Sequence, residues 1–452
     1  MLTDVLHHAA SAVDFGALRV HEFARLDADA HAYLDFTGSA LYPDSLVARH
    51  AAMLRGAVLG NPHSESPASL ASSALVAEAR ARVLRFFDAD PSEYAVCFAA
   101  NATAAIHLVA ESFAFGPRAP FVLAADDHNS VNGIRAYAAR AGAEVRYVPL
   151  DDELRLTDVD AVLDAPGGCG LLAFPAQSNF SGVRHPLGLV RAARDRGWSV
   201  LLDAAAYVPT SPLSLRDVPA DFVAVSFYKM FGYPTGVGAL IVRHEALGRL
   251  RRPWFAGGTV DFVSTYHDAH LLRAGVEGFE DGTANFLALG AIGAGLDFLA
   301  SVGMERIGRR TSALAERLAS ELAALRHRGG APLVRVYGPA DARARGATVA
   351  FNVLDAAGAP VPYCRVEERA RAARVSVRGG CFCNPGAAAA AFGFPHEATV
   401  RCLGAAQTSG WSLSRFADCV GGRAVGAIRA SLGIPSNAAD VERLLDVVGT
   451  FA

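Results

Sequence analysis

Seven short apolar runs punctuate the middle of the chain, at 94–100, 121–125, 144–150, 170–176, 199–205, 222–227 and 237–243. Most are continuously apolar instead of alternating, the pattern of strands covered on both faces of a sheet. Between them lie segments of helical length such as ATAAIHLVAESF and LGLVRAARDRG. Strand and helix in alternation predict an α/β unit with a mostly parallel sheet. After residue 300 the rhythm changes. An amphipathic helix over 307–325 leads into separated strands (LVRVYG, ATVAFNVL, RVSVRG, GAIRASLG) and a last helix, AADVERLLDVV. This predicts a smaller α+β unit, joined by the N-terminal stretch. The expected division is a large domain at 45–305 and a small one at 1–44 with 306–452.

Composition narrows the class. With 452 residues, 52% hydrophobic and 19% charged, the chain is too long for one small core and too apolar for disorder. A net charge of −3 gives no electrostatic reason to expect nucleic acid or an acidic membrane surface. Seven unevenly spread cysteines argue for reduced thiols over a disulfide framework. The opening residues lack the basic start and apolar stretch of a signal peptide, and no apolar run reaches the ~18 residues of a membrane span. The expectation is a cytoplasmic protein.

Of the 42 Lys+Arg residues one is lysine, Lys229, and the rest are arginine. Codon bias toward arginine would replace any lysine that only carried charge. The survivor is expected to do what a guanidinium cannot, namely lose its proton and form a Schiff base. Lys229 follows one expected strand and precedes a glycine-containing turn, and ligand sites in α/β sheets gather at carboxyl ends of strands. The run SVLLDAA ends in Asp203, readable as a helix cap or buried salt bridge, or as the partner of a pyridinium nitrogen. Asn101, Ala102 and Thr103 stand at a strand-to-helix junction. They suit a plain N-cap or a phosphate held by backbone N–H groups and the Thr103 hydroxyl.

In this setting YLDFTGSALYP, GNPHSESPAS, DDHNSV, FPAQSNFSG, LLDAAAYVPT, SFYKMFGYPTG, FEDGTANF, RGGCFCNPGA and IRASLG follow one another along nearly the whole chain. The chain resembles the class V aminotransferase and cysteine desulfurase superfamily of pyridoxal 5'-phosphate enzymes. It is similar in particular to the N-terminal desulfurase domain of molybdenum cofactor sulfurases. The resemblance implies fold type I, with a seven-stranded, mostly parallel sheet in the large domain and a homodimer. It implies Lys229 as the Schiff-base lysine that later moves the Cα proton, Asp203 on the ring nitrogen and His128 stacked on the ring. Asn179 would contact the ring hydroxyl and the substrate. Thr103, Ala102, Ser226 and Tyr228 would hold the phosphate, with Thr283 reaching in from a second subunit. Arg429 would grip the substrate carboxylate bidentately.

Cys381 and Cys383 form a C-x-C that could bind metal with Cys402 and Cys419, although the spacing fits no standard zinc pattern and no metal is expected. A pair of structural thiols is a second reading. The resemblance favours a third, Cys383 as a nucleophilic thiolate on a loop made mobile by Gly379, Gly380 and Gly386. L-cysteine, or a related amino acid, would yield its sulfur to Cys383, and L-alanine would leave. Ala388 stands where the family often has a third cysteine, and Ala206 where many desulfurases have glutamine. The run Ala99, Ala100, Asn101 replaces a commoner polar, glycine-containing stretch. The sulfur acceptor stays open. The rivals are a C–S lyase, a selenocysteine lyase or an amino-acid-modifying biosynthetic enzyme on the same scaffold, and a non-enzymatic thiol scaffold for metal or cluster assembly.

Overall fold

A computed structural model describes residues 13–410 and 412–452. Its large sheet has seven strands: β1 (Tyr94–Ala99), β2 (Phe121–Ala124), β3 (Val145–Val148), β4 (Leu171–Pro175), β5 (Ser199–Asp203), β6 (Phe222–Ser226) and β7 (Gly238–Arg243). All seven apolar runs become these strands, trimmed by at most two residues at either end. The spatial order is β1-β7-β6-β5-β4-β2-β3. Strands β2 to β6 pair in parallel, and β7 runs against both of its neighbours.

The continuous apolar runs have a direct cause. Val122, Leu172, Phe174, Leu202 and Val223 enter one core, whereas Phe121, Leu123, Ala173, Leu201 and Ala224 enter another on the opposite face. With both faces covered, each strand needs apolar residues at successive positions. Helix α1 (Ala102–Ser112) covers one face; helix α2 (Phe286–Val302) packs in the core of the other. Between β2 and β4 the chain reverses its direction of travel across the sheet. That reversal opens a crevice at the carboxyl ends of the strands, where open α/β sheets bind ligands.

A second sheet is antiparallel throughout, in the order β8 (Val334–Tyr337), β9 (Thr348–Val353), β11 (Ala427–Ser431) and β10 (Arg378–Gly380). The run RVSVRG, expected as one strand, is divided. Val375–Ser376 pairs with Ala32–Tyr33, and Arg378–Gly380 pairs with β11. The chain therefore switches partner at Val377. The amphipathic helix α3 (Met304–Ala324) begins three residues earlier than expected and packs Leu318 and Leu322 on Val349 and Phe351. The N-terminal segment is tied in through Leu34 and an Asp35–Ser431 bridge. Among the described residues no single helix is long and apolar enough to cross a membrane.

Candidate active site

The segments leaving β1, β2, β4, β5 and β6 converge on a cavity of about 150 Å³ at the carboxyl edge of the large sheet. They bring together Ala102, Thr103, His128, Asn179, Asp203, Ser226, Tyr228 and Lys229, all expected there, with Ser130 and Gln177, which were not. Five strand ends supply these side chains, so the sheet, more than any one loop, fixes their relative positions.

Lys229 lies in a single helical turn, α4 (Phe227–Phe231), placed directly after β6. Its Nζ makes no hydrogen bond or ion pair among the described residues, although the side chain is half-buried. Burial lowers the ammonium from its ordinary range; the nearby Asp203 charge opposes this, while Arg429 and Arg378 add to it. The amine is therefore biased toward the neutral, nucleophilic form. Asp203 Oδ1 accepts the Ala205 N–H at 2.9 Å. Its other oxygen has no partner among the described residues. His128 Nδ1 accepts the Ser130 N–H at 3.1 Å and lies 2.9 Å from Ser130 Oγ, which caps the turn that follows. Burial lowers its pKa, against Asp203 and with Lys229 and Arg429, so the ring is held neutral.

At the start of α1 the Asn101 side chain accepts the Ala104 N–H at 3.0 Å, so the plain N-cap reading is correct for that residue. The Ala102 N–H donates to Ser226 Oγ at 2.8 Å, and Thr103 Oγ1 lies 2.7 Å from Ser130 Oγ. Caps and hydroxyls together make a polar cradle at a helix N-terminus, a favourable place for an anion. A pyridoxal phosphate fits this donor set. An unpaired amine, an unpaired carboxylate oxygen and a hydroxyl-rich helix start surround one cavity.

Arg429, on β11, is 3% exposed. Its Nη1 donates to the Asn179 carbonyl at 2.9 Å and its Nη2 to Asp35 at 3.1 Å, while Nε has no partner among the described residues. Its guanidinium lies 4.7 Å from the Phe382 ring centroid. Burial pushes its pKa down to about 10, with Asp35 opposing. Asp35 also accepts a chelating pair from Arg378. Sequence reasoning missed both Asp35 and Arg378, although each lies inside a motif singled out for the resemblance.

The cysteine loop departs from expectation. It comprises only 381–384, between β10 and helix α5 (Pro385–Phe392). Two of the glycines expected to make it mobile serve close packing instead. A Cβ on Gly386 would stand 1.8 Å from the Ala125 carbonyl oxygen, and one on Gly379 would meet Tyr363 and Glu367. Cys383 is exposed and acts electrostatically on Lys229 and Arg429. Cys381 donates its S–H to the Val425 carbonyl at 2.8 Å, and burial raises its thiol to about 11. Cys402 and Cys419 form a disulfide. They are therefore not ligands completing a metal site with the C-x-C, and not every thiol is reduced. Asn179 gives its amide to this loop, Nδ2 donating to the Phe382 carbonyl at 2.7 Å and Oδ1 accepting from Asn384 at 2.9 Å. Thr283 lies outside the Lys229 cavity of its own chain, 3.2 Å from Asn61 Nδ2.

Residues 32–444 match the family model Aminotransferase class-V, and the chain belongs to that family. It is 38% identical to the molybdenum cofactor sulfurase of Bos taurus, over 95% of this chain and 51% of that protein. The chain thus spans about half the length of the curated relatives it matches. Among solved structures it is similar to the apo cysteine desulfurase of Thermococcus onnurineus NA1, with a TM-score of 0.79 and 24% identity over 98% of this chain and 99% of that one. A mutant of C-DES with glycine covalently linked to its PLP cofactor gives a TM-score of 0.72 at 20% identity, over 96% and 99%. The fold is the fold type I arrangement expected from the sequence.

Proposed function

We propose that this chain is a pyridoxal-phosphate-dependent cysteine desulfurase that converts L-cysteine to L-alanine and leaves a persulfide on Cys383. The observation that carries the reading is the grouping of Asp203, Arg429 and Cys383 within electrostatic reach of Lys229, which lines the cavity at the edge of the large sheet. A thiol scaffold for metal would have no use for a half-buried lysine, its ammonium disfavoured by burial, near a carboxylate, and Cys402 and Cys419 are joined to each other.

Pyridoxal phosphate, when bound, supplies a carbonyl carbon for imine formation and an electron sink for charge developing at the substrate Cα. Lys229 would hold it, and its amine would then move the proton at the substrate Cα. The free oxygen of Asp203 would serve the ring nitrogen and keep it protonated. His128 would stack on the ring, and Thr103, Ser226, Tyr228 and the start of α1 would hold the phosphate. Arg429 receives the substrate carboxylate through Nε and its uncommitted Nη hydrogens. The Cys383 thiolate attacks the substrate sulfur. A sulfur–sulfur bond forms as the Cβ–S bond breaks, and protonation at Cβ completes alanine. The persulfide then awaits an acceptor.

A second copy of the chain completes the site in this reading. Thr283 does not line the Lys229 cavity of its own chain, and the hairpin of Val260–Val263 with His270–Leu272 exposes Phe262, Tyr266 and Leu271, with Phe255 packed on His270. The test is product analysis with L-cysteine and a reductant after reconstitution with pyridoxal phosphate. Alanine and sulfide in equal amounts are expected. Pyruvate and ammonia would make the enzyme a lyase, and no turnover would move the substrate to another amino acid.

A further inference from the structure

Asn384 follows Cys383 directly and is fully buried. Its Nδ2 donates to the Asp126 carbonyl at 2.5 Å and to Asn179 Oδ1 at 2.9 Å, while its Oδ1 accepts the Ala387 N–H at 3.1 Å and caps α5. The four-residue loop before that helix contains two successive non-glycine residues, Phe382 and Cys383, both with φ of 55°. Left-handed backbone at two such positions persists only where the surroundings impose it. The Asn129 N–H donates to the Cys383 carbonyl at 2.7 Å, and Asn179 Nδ2 donates to the Phe382 carbonyl at 2.7 Å. The Phe382 ring packs against Phe180, with Arg429 over its face. The carboxamide of Asn384 sits at the centre of these contacts, reaching both the segment before His128 and Asn179.

We propose that Asn384 is a positioning residue for the thiol. Its two donated hydrogen bonds pin the strained Phe382–Cys383 turn to the 126–129 segment and to Asn179, which holds Cys383 within electrostatic reach of Lys229. The proposal rests on the desulfurase reading, because it concerns the nucleophile of that reaction. It separates a tether from an ordinary helix cap. Aspartate and serine cap a helix about as well as asparagine, but neither can donate to both the Asp126 carbonyl and Asn179.

The experiment compares Asn384→Asp and Asn384→Ser with the wild-type holoenzyme. Persulfide formation on Cys383 is followed by mass in a single turnover with L-cysteine. Affinity for L-alanine is read from the Schiff-base absorption. Both variants are expected to lose persulfide rate about 10- to 100-fold, the scale set by ~1 Å of misplacement, with alanine affinity kept. Hydrogen exchange on the cofactor-free variants supplies a second readout, in which the Asn129 amide should lose protection while the core strands keep theirs. Wild-type rates in both variants, or unchanged protection at Asn129, would reduce Asn384 to a cap and overturn the proposal. A wild-type enzyme that binds alanine but forms no persulfide would overturn the functional reading instead.

Discussion

Arg429 and Asp35 are bound to each other inside the small sheet, Nη2 to Oδ1 at 3.1 Å, and the same carboxylate receives Arg378 at 2.7–3.2 Å. One buried anion thus lies between a buried cation and one whose side chain is 50% exposed. The arrangement gives the two arginines different energetic standing. Removing the carboxylate strands Arg429 as an unpaired buried charge, a change that costs about 3–5 kcal/mol. Removing Arg378 exposes the carboxylate to water and costs at most about 1 kcal/mol. Asp35→Ala should therefore lower the urea midpoint far more than Arg378→Ala at the same pH. Equal losses would show that Asp35 does not hold Arg429.

Lys229 gives a pH dependence of defined sign. Its folded-state pKa is lowered by burial, so the unfolded chain carries an extra proton between that lowered value and ~10.4. Burying this amine is a penalty on the cofactor-free fold at neutral pH, and stability from this group rises as pH climbs through the window. Lys229→Met should be more stable than wild type at pH 7, with the gap closing toward pH ~10. A gap independent of pH would mean that the site does not depress the amine. The sole lysine allows a second check. Borohydride reduction of the holoenzyme should add the cofactor's mass at Lys229.

The large sheet was legible in the sequence because both its faces are buried. Apolar residues at successive positions, as in Leu171–Pro175, leave little ambiguity once turn signals bound them. The Val375–Gly380 stretch was less legible because a change of partner at Val377 leaves no mark in a short apolar run. Lys229 stood out by rarity and Asp203 by its place at the end of an apolar run. Asp35 and Asn384 did not stand out. An aspartate in a polar turn and an asparagine before proline are ordinary in loops, and their importance comes from partners some 250 to 400 positions away. The glycines of the cysteine loop show the opposite error. Glycine suggests freedom, yet at Gly386 it records the approach of the Ala125 carbonyl.

The two cysteines of the loop should separate cleanly. Cys381 spends its proton on the Val425 carbonyl and, pushed up to about 11 by burial, remains a neutral thiol at physiological pH. Cys383 is exposed and lies within electrostatic reach of Lys229 and Arg429. Cys383→Ala should abolish persulfide while the Schiff-base band persists. Cys381→Ala should keep persulfide formation and lose about 1 kcal/mol of stability from the missing hydrogen bond. Persulfide on Cys381 in the wild-type protein would reverse these roles.

The disulfide between Cys402 and Cys419 makes a local prediction. It joins two helices, His396–Ser409 and Leu413–Cys419, around a cluster that among the described residues comprises Cys402, Phe416 and Val420 with a few half-buried neighbours. So small a cluster cannot offset the chain entropy of the pair by itself. Closing a loop of about 17 residues contributes on the order of 3 kcal/mol. The effect should stay mainly local because the larger cores draw on other residues, the helix pair meeting them chiefly through the Phe394–Phe416 ring contact at 5.8 Å. Replacing both cysteines with serine should therefore accelerate hydrogen exchange across 396–425 and leave the global urea midpoint nearly unchanged. A midpoint that falls together with hairpin protection would make the hairpin part of the cooperative core.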